Sequence, residues 1–138
     1  MTARRAAVPA DAAQLSVLNQ FLRDFGSAVA LDAAQVQTFE LALEEIFMNI
    51  VMHGAQPGST PLVEVSLDRA SESVTMTVED DGPQFDPLSL PPPDVTASLA
   101  GRPVGGLGVF LVRNMMDTIS YARVAGRNQL RMSKRLSG

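Results

Sequence analysis

Cysteine is absent from this chain, which excludes disulfide bridges and thiolate-held metal centres. No stretch approaches the roughly 18 consecutive apolar residues that a membrane-spanning helix needs. The opening MTARRAAVPADAA carries Arg4 and Arg5 with no apolar run after them, so it does not read as a secretory signal. Internal repeats are also lacking. These absences make the cytoplasm the simplest expected location. What is present is a hydrophobic fraction of 46% over 138 residues, enough for one domain with a real core and too much for a disordered chain.

Positive charge is scarce until late in the chain. Met1 to Gly101 holds 4 basic and 14 acidic residues, whereas Arg102 to Gly138 holds 7 basic and 1 acidic. A basic end on an acidic protein suits a phosphate ligand or an acidic partner, and it equally suits a solvated sheet face rich in arginine. The net charge of −4 speaks against nucleic-acid binding.

Hydrophobic spacing predicts the elements. Pro9 and Asp11 offer a helix start, followed by Leu15, Leu18, Leu22 and Phe25 on one face, with Gly26 weakening the end. A second helix opens at Leu31-Asp32, with Asp32 as N-cap, and runs to about His53, where Gly54 supplies a left-handed C-cap. Val63, Val65 and Leu67, then Val74, Met76 and Val78, alternate with polar residues, the pattern of two strands covered on one face. Asp81 to Gly106 is a proline-rich loop, long enough to be functional. Leu107 to Met116 reads as a helix. Ile119–Val124 and Gln129–Leu136 read as a closing hairpin turned at Gly126-Arg127-Asn128. The fold class expected is α+β, a two-layer sandwich with helices on one face of a mostly antiparallel sheet.

Some positions ask for more than a fold. Between Leu41 and Met52 only Glu44, Glu45 and Asn49 are polar, so the helix is expected to be buried nearly all round. Glu45 and Asn49 share a face. Asn49 can offer a carbonyl oxygen to magnesium, and Glu45 can orient or deprotonate a nucleophile. A structural Glu–Asn hydrogen bond explains the same spacing, and the spacing alone does not choose. Glu44 belongs to the neighbouring face with Glu40 and is expected to be exposed. Asp80 continues the inward series of Val74, Met76 and Val78, where a charge needs a partner. A ligand amino group would serve, and Gly82 lets the backbone come close; a turn-initiating aspartate is the alternative. Gly105-Gly106-Leu107-Gly108 runs into a helix, where free N–H groups favour phosphate. It is not a P-loop, because no lysine followed by serine or threonine ends it. Arg102 could reach a phosphate there. His53 could touch the site's edge or satisfy carbonyls at its helix end, and Met48, Met52, Met115 and Met116 are expected to fill the core.

Together, Glu45-x-x-x-Asn49, Asp80-Asp81-Gly82 and Gly105-Gly106-Leu107-Gly108 resemble the N, G1 and G2 boxes of the Bergerat-fold ATPases. Leu41-Ala42-Leu43-Glu44-Glu45 and Asp80-Asp81-Gly82-Pro83-Gln84-Phe85-Asp86-Pro87 resemble more closely the stand-alone anti-sigma factor serine/threonine kinases of bacteria, over about Asp11 to Lys134. The resemblance implies ATP and Mg2+ as cofactors, with Glu45 as general base and Asn49 as magnesium ligand. It implies that Asp80 accepts from the adenine amino group, that Gly82 lets the base pack against the chain, and that Gly105, Gly106, Leu107 and Gly108 wrap the phosphates under a lid from Asp86 to Val104. A STAS-domain anti-anti-sigma protein would be the phosphorylated partner and a sigma factor the sequestered one; a homodimer is also expected. The alternative is a module that holds a partner with ATP but phosphorylates nothing. Two departures stand out: Gln84 replaces the second glycine of the G1 box, and Asn128 stands where a threonine usually bonds near the adenine.

Overall fold

The computed structural model describes residues 2–54, 58–89 and 106–136. The period of two between residues 62 and 80 becomes β2 (Leu62–Arg69) and β3 (Ser73–Asp80), paired antiparallel from Val63↔Asp80 to Arg69↔Val74. Val63, Val65, Leu67, Val74, Met76 and Val78 all point to one face and are buried. The closing hairpin is β4 (Thr118–Val124) and β5 (Arg127–Arg135). β5 lies beside β3, and the sheet runs β1-β2-β3-β5-β4 with every pair antiparallel.

Three helices close the inner face: α1 (Leu15–Ala28), α2 (Ala33–Gly54) and α3 (Gly106–Met115). Leu18, Leu22 and Phe25 of α1 share one core with Phe39, Leu43 and Phe47 of α2, Val109 and Val112 of α3, and the inward side chains of the sheet. The α+β, two-layer architecture is the one that the sequence predicts. Asp32 caps α2 reciprocally with Gln35: the Gln35 N–H donates to Asp32 Oδ1 at 2.8 Å, and the Asp32 N–H donates to Gln35 Oε1 at 2.9 Å.

The structure departs from the sequence reading in five places. β1 (Thr2–Pro9) pairs with β2 over the whole span from Thr2↔Arg69 to Pro9↔Leu62, where no strand is expected. Its residues TARRAAVP lack a β-branched run, and backbone pairing on the sheet edge supplies the order that propensity does not. α1 continues past Gly26 to Ala28; the chain reverses at Ala30, at φ 61°, where the Leu31 N–H bonds back to the Gly26 carbonyl at 2.9 Å. Gly54 is the last residue of α2 and is not among the glycines of positive φ; a Cβ there would sit 3.2 Å from Pro61 Cγ, so close approach explains it. The hairpin turns at Ala125-Gly126, at φ 52° and 78°, a two-residue turn with both residues left-handed, while Arg127 and Asn128 belong to β5. Finally, α2 is not buried all round, since Leu41 and Met52 are 41% and 49% exposed. Met52 therefore does not fill the core. Among the described residues no helix is long and apolar enough to cross a membrane.

Candidate functional site

The inward parity of β3 carries Asp80 into the layer beneath the helices, where it is 6% exposed. Its Oδ1 accepts from the Gly82 N–H at 3.0 Å and from Asn128 Nδ2 at 3.1 Å. Its Oδ2 has no hydrogen-bond partner among the described residues, leaving one acceptor for a ligand donor. Asp81, as parity requires, faces the other way, and its Oδ1 accepts from the Leu62 N–H at 2.8 Å. A Cβ on Gly82 would lie 3.0 Å from Asp80 Oδ1 and 3.1 Å from Pro61 Cγ, so the turn follows the carboxylate closely.

Asn128 faces Asp80 across the β3–β5 ladder and is also 6% exposed. Nδ2 spends its second hydrogen on the Pro83 carbonyl at 2.8 Å. Oδ1 accepts from the Phe85 N–H at 3.1 Å, Tyr121 Oη at 2.6 Å and an Arg123 guanidinium N–H at 3.2 Å. Both donors of the amide are thus engaged, and Asn128 meets the site through Asp80.

Asn49 is 4% exposed, and its Nδ2 has no hydrogen-bond partner among the described residues. A buried amide without a partner costs about 1–3 kcal/mol, which a structural role does not repay. The structural Glu45–Asn49 hydrogen bond that the spacing allows is not made. Asn49 and Asp80 instead line one cleft, with Phe85, Pro87, Tyr121 and Asn128. Its polar groups suit a ligand that brings a donor to Asp80 and a group for the Asn49 amide. The space between these side chains is narrow, about 20 Å³, enough for a water and less than a purine ring fills.

Glu45 is half-buried and Glu44 exposed, as their faces predict. A Cβ built on Gly108 would lie 1.9 Å from Glu45 Oε2 and 2.7 Å from Glu45 Cδ. The Glu45 carboxylate therefore occupies the space beside the first turn of α3 that only glycine leaves open. In Gly108→Ala the flexible end of Glu45 gives way and the fold survives, but the carboxylate is displaced. The expected result is an unchanged thermal midpoint with any reaction that depends on this carboxylate slowed about 10²-fold, the cost of about 1 Å of misplacement, read by thermal melting beside an activity assay.

Gly106 opens α3 and Leu107 follows it. Gly105, Arg102 and most of the expected lid lie outside the described residues; of that segment, Pro87–Ser89 forms a short 3-10 turn, with the Leu88 N–H donating to Asp86 Oδ1 at 2.8 Å. His53 stacks on Phe85, with ring centroids 4.7 Å apart and planes at 23°, so of its two expected roles it takes the one at the site's edge. Sequence reasoning missed Phe85, Tyr121 and Arg123. The strand register that puts Arg123 beside Asn128 is a signal for one of them, but only once the two-residue turn is known.

Comparison with known proteins follows the same lines. The family model described as histidine kinase-like ATPase domain matches residues 8–134. The chain is similar to the serine/threonine-protein kinase BtrW of Bordetella bronchiseptica, 31% identical over 96 residues that cover 70% of this chain and 68% of that protein. It is also similar to the serine-protein kinase RsbW of Staphylococcus aureus, 22% identical over 124 residues, 86% of this chain and 78% of that one. Among solved structures, one of RsbU and RsbW domains from Mycobacterium tuberculosis shares the fold, with a TM-score of 0.69 at 16% identity, over 100% of this chain and 33% of that one.

Proposed function

The chain belongs to the histidine kinase-like ATPase domain family, and on that premise we propose that it is an ATP- and magnesium-dependent serine/threonine protein kinase of a partner-switching system. Its substrate is a STAS-domain anti-anti-sigma protein, and a sigma factor is the partner it holds. Relatives named as serine and serine/threonine protein kinases support this reading. The observation that carries it is Asn49: a buried side chain whose Nδ2 has no partner among the described residues, one helical turn from Glu45 and lining the same cleft as Asp80.

In this reading Asp80 Oδ2 receives the amino group of adenine. The N–H groups at the start of α3, around Gly106, Leu107 and Gly108, receive phosphate oxygens, and the helix dipole favours their charge. The Asn49 carboxamide oxygen would hold a magnesium ion, which would supply charge neutralisation at the phosphates. Glu45 accepts the proton of the substrate hydroxyl as that oxygen bonds to the γ-phosphorus; the bond from the γ-phosphorus to the bridging oxygen breaks, and ADP leaves with its electron pair. Gly108 holds the carboxylate in place for that transfer. The lid spans about residues 86 to 104 of a single domain.

The test is incubation of the purified protein with γ-labelled ATP and the STAS protein encoded nearest to it. Label on a serine or threonine of the STAS protein is the expected result. Nucleotide-dependent co-elution without label would instead make the chain a binding module.

A further inference from the structure

We propose that Arg123, on the outermost strand β4, is a positioning residue for the adenine end of the nucleotide, acting through Asn128 and the Gly82 carbonyl. The inference rests on the ATP-binding reading above. Arg123 pairs with Asn128 across the β4–β5 ladder, and Asn128 pairs with Asp80 across the β3–β5 ladder. Residues directly opposite in neighbouring strands carry their side chains to the same face. Arg123, Asn128 and Asp80 therefore form one row across three strands, running from the sheet edge into the cleft.

The hydrogen bonds follow that row. One Arg123 guanidinium nitrogen, Nη1, donates to the Gly82 carbonyl at 2.9 Å and to Asn128 Oδ1 at 3.2 Å. A carboxamide presents an oxygen on one side and two N–H groups on the other, and its neighbours choose which way it faces. Three donors converge on Asn128 Oδ1, namely Arg123, the Tyr121 hydroxyl at 2.6 Å and the Phe85 N–H at 3.1 Å. A flipped amide would set its N–H groups against all three. Nδ2 is thereby held toward Asp80 Oδ1 and the Pro83 carbonyl, and Asp80 is left with Oδ2 as its acceptor for a ligand. The second bond of Arg123, to Gly82, pins the turn on which the base would lie.

Among the described residues, three neighbouring cations are engaged elsewhere: Arg127 faces Glu79 at 3.4 Å, Lys134 donates to the Met115 carbonyl at 2.9 Å, and Arg113 donates to the Leu88 carbonyl at 3.4 Å. Among the described residues, Arg123 is the cation that reaches the Asp80–Gly82 turn. Its side chain is exposed, and removing it leaves the strand ladder intact. The purpose of the contact is thus the shape of the turn.

The experiment titrates ATP, ADP and AMP calorimetrically into the wild type, Arg123→Ala, Arg123→Lys and Tyr121→Phe, and follows transfer from ATP. Arg123→Ala is expected to weaken all three nucleotides equally, by about tenfold, the worth of a charge-assisted hydrogen bond. KM for ATP rises in step, kcat changes less than about threefold, and the thermal midpoint holds. Lysine restores part of the loss, and Tyr121→Phe reproduces part of it. Loss that grows with the number of phosphates, an equal fall in kcat, or unchanged binding by Arg123→Ala overturns the inference and leaves ATP binding standing. A wild type that takes up none of the three nucleotides overturns both.

Discussion

Glu45→Ala is expected to bind ATP as the wild type does and to transfer phosphate about 10² to 10⁴ times more slowly, the range that a positioned general base contributes. The side chain is half-buried against Gly108 and does not line the cleft of Asp80 and Asn128, where the proposed reading seats the adenine. Its loss therefore leaves binding alone. The carboxylate makes no hydrogen bond to the buried Asn49 amide, so its removal strands no partner there. Glu45→Gln separates position from basicity, because the amide keeps the shape and cannot accept the proton. Single-turnover transfer beside calorimetry reads both quantities. Wild-type transfer by either variant removes Glu45 from the mechanism.

Asn49→Ala carries the second large effect. In the presence of magnesium, ATP affinity is expected to fall by roughly 10²-fold or more, as when a ligand to a phosphate-bound cation is removed. Without magnesium the variant and the wild type should bind alike. Stability should move in the opposite sense from an ordinary core deletion. Truncation removes a buried donor that has no partner among the described residues, whose desolvation costs about 1–3 kcal/mol, and this offsets the small cavity that alanine leaves. A thermal midpoint that holds or rises while magnesium-dependent binding disappears is the signature of a residue kept for function. A large fall in stability with binding retained would make Asn49 structural.

Much of this was legible in the residues. Strict alternation placed β2 and β3 and told Asp80 from Asp81, because side-chain direction in a strand has a period of two and needs no tertiary information. Asp32 as the cap of α2, and the shared face of Glu45 and Asn49, follow in the same way from helical geometry. β1 was not legible: its pairing partner lies some 60 residues away, and strand order in a chain of alanine and arginine comes from that partner. Leu41 and Met52 were misjudged because composition counts apolar residues, whereas exposure depends on what packs against each face.

By itself the sequence determined the helices, the inward strand faces and the three boxes, since each is a local pattern with its own period or spacing. Only the tertiary structure decided how distant residues share atoms. It brought Gly108 against Glu45, turned the Asn128 amide to Asp80 and Pro83, drew Tyr121 and Phe85 into the cleft, and set Arg123 on Asn128 and the Gly82 carbonyl. Those contacts depend on strand order and register, which close long loops and leave no trace in any one segment.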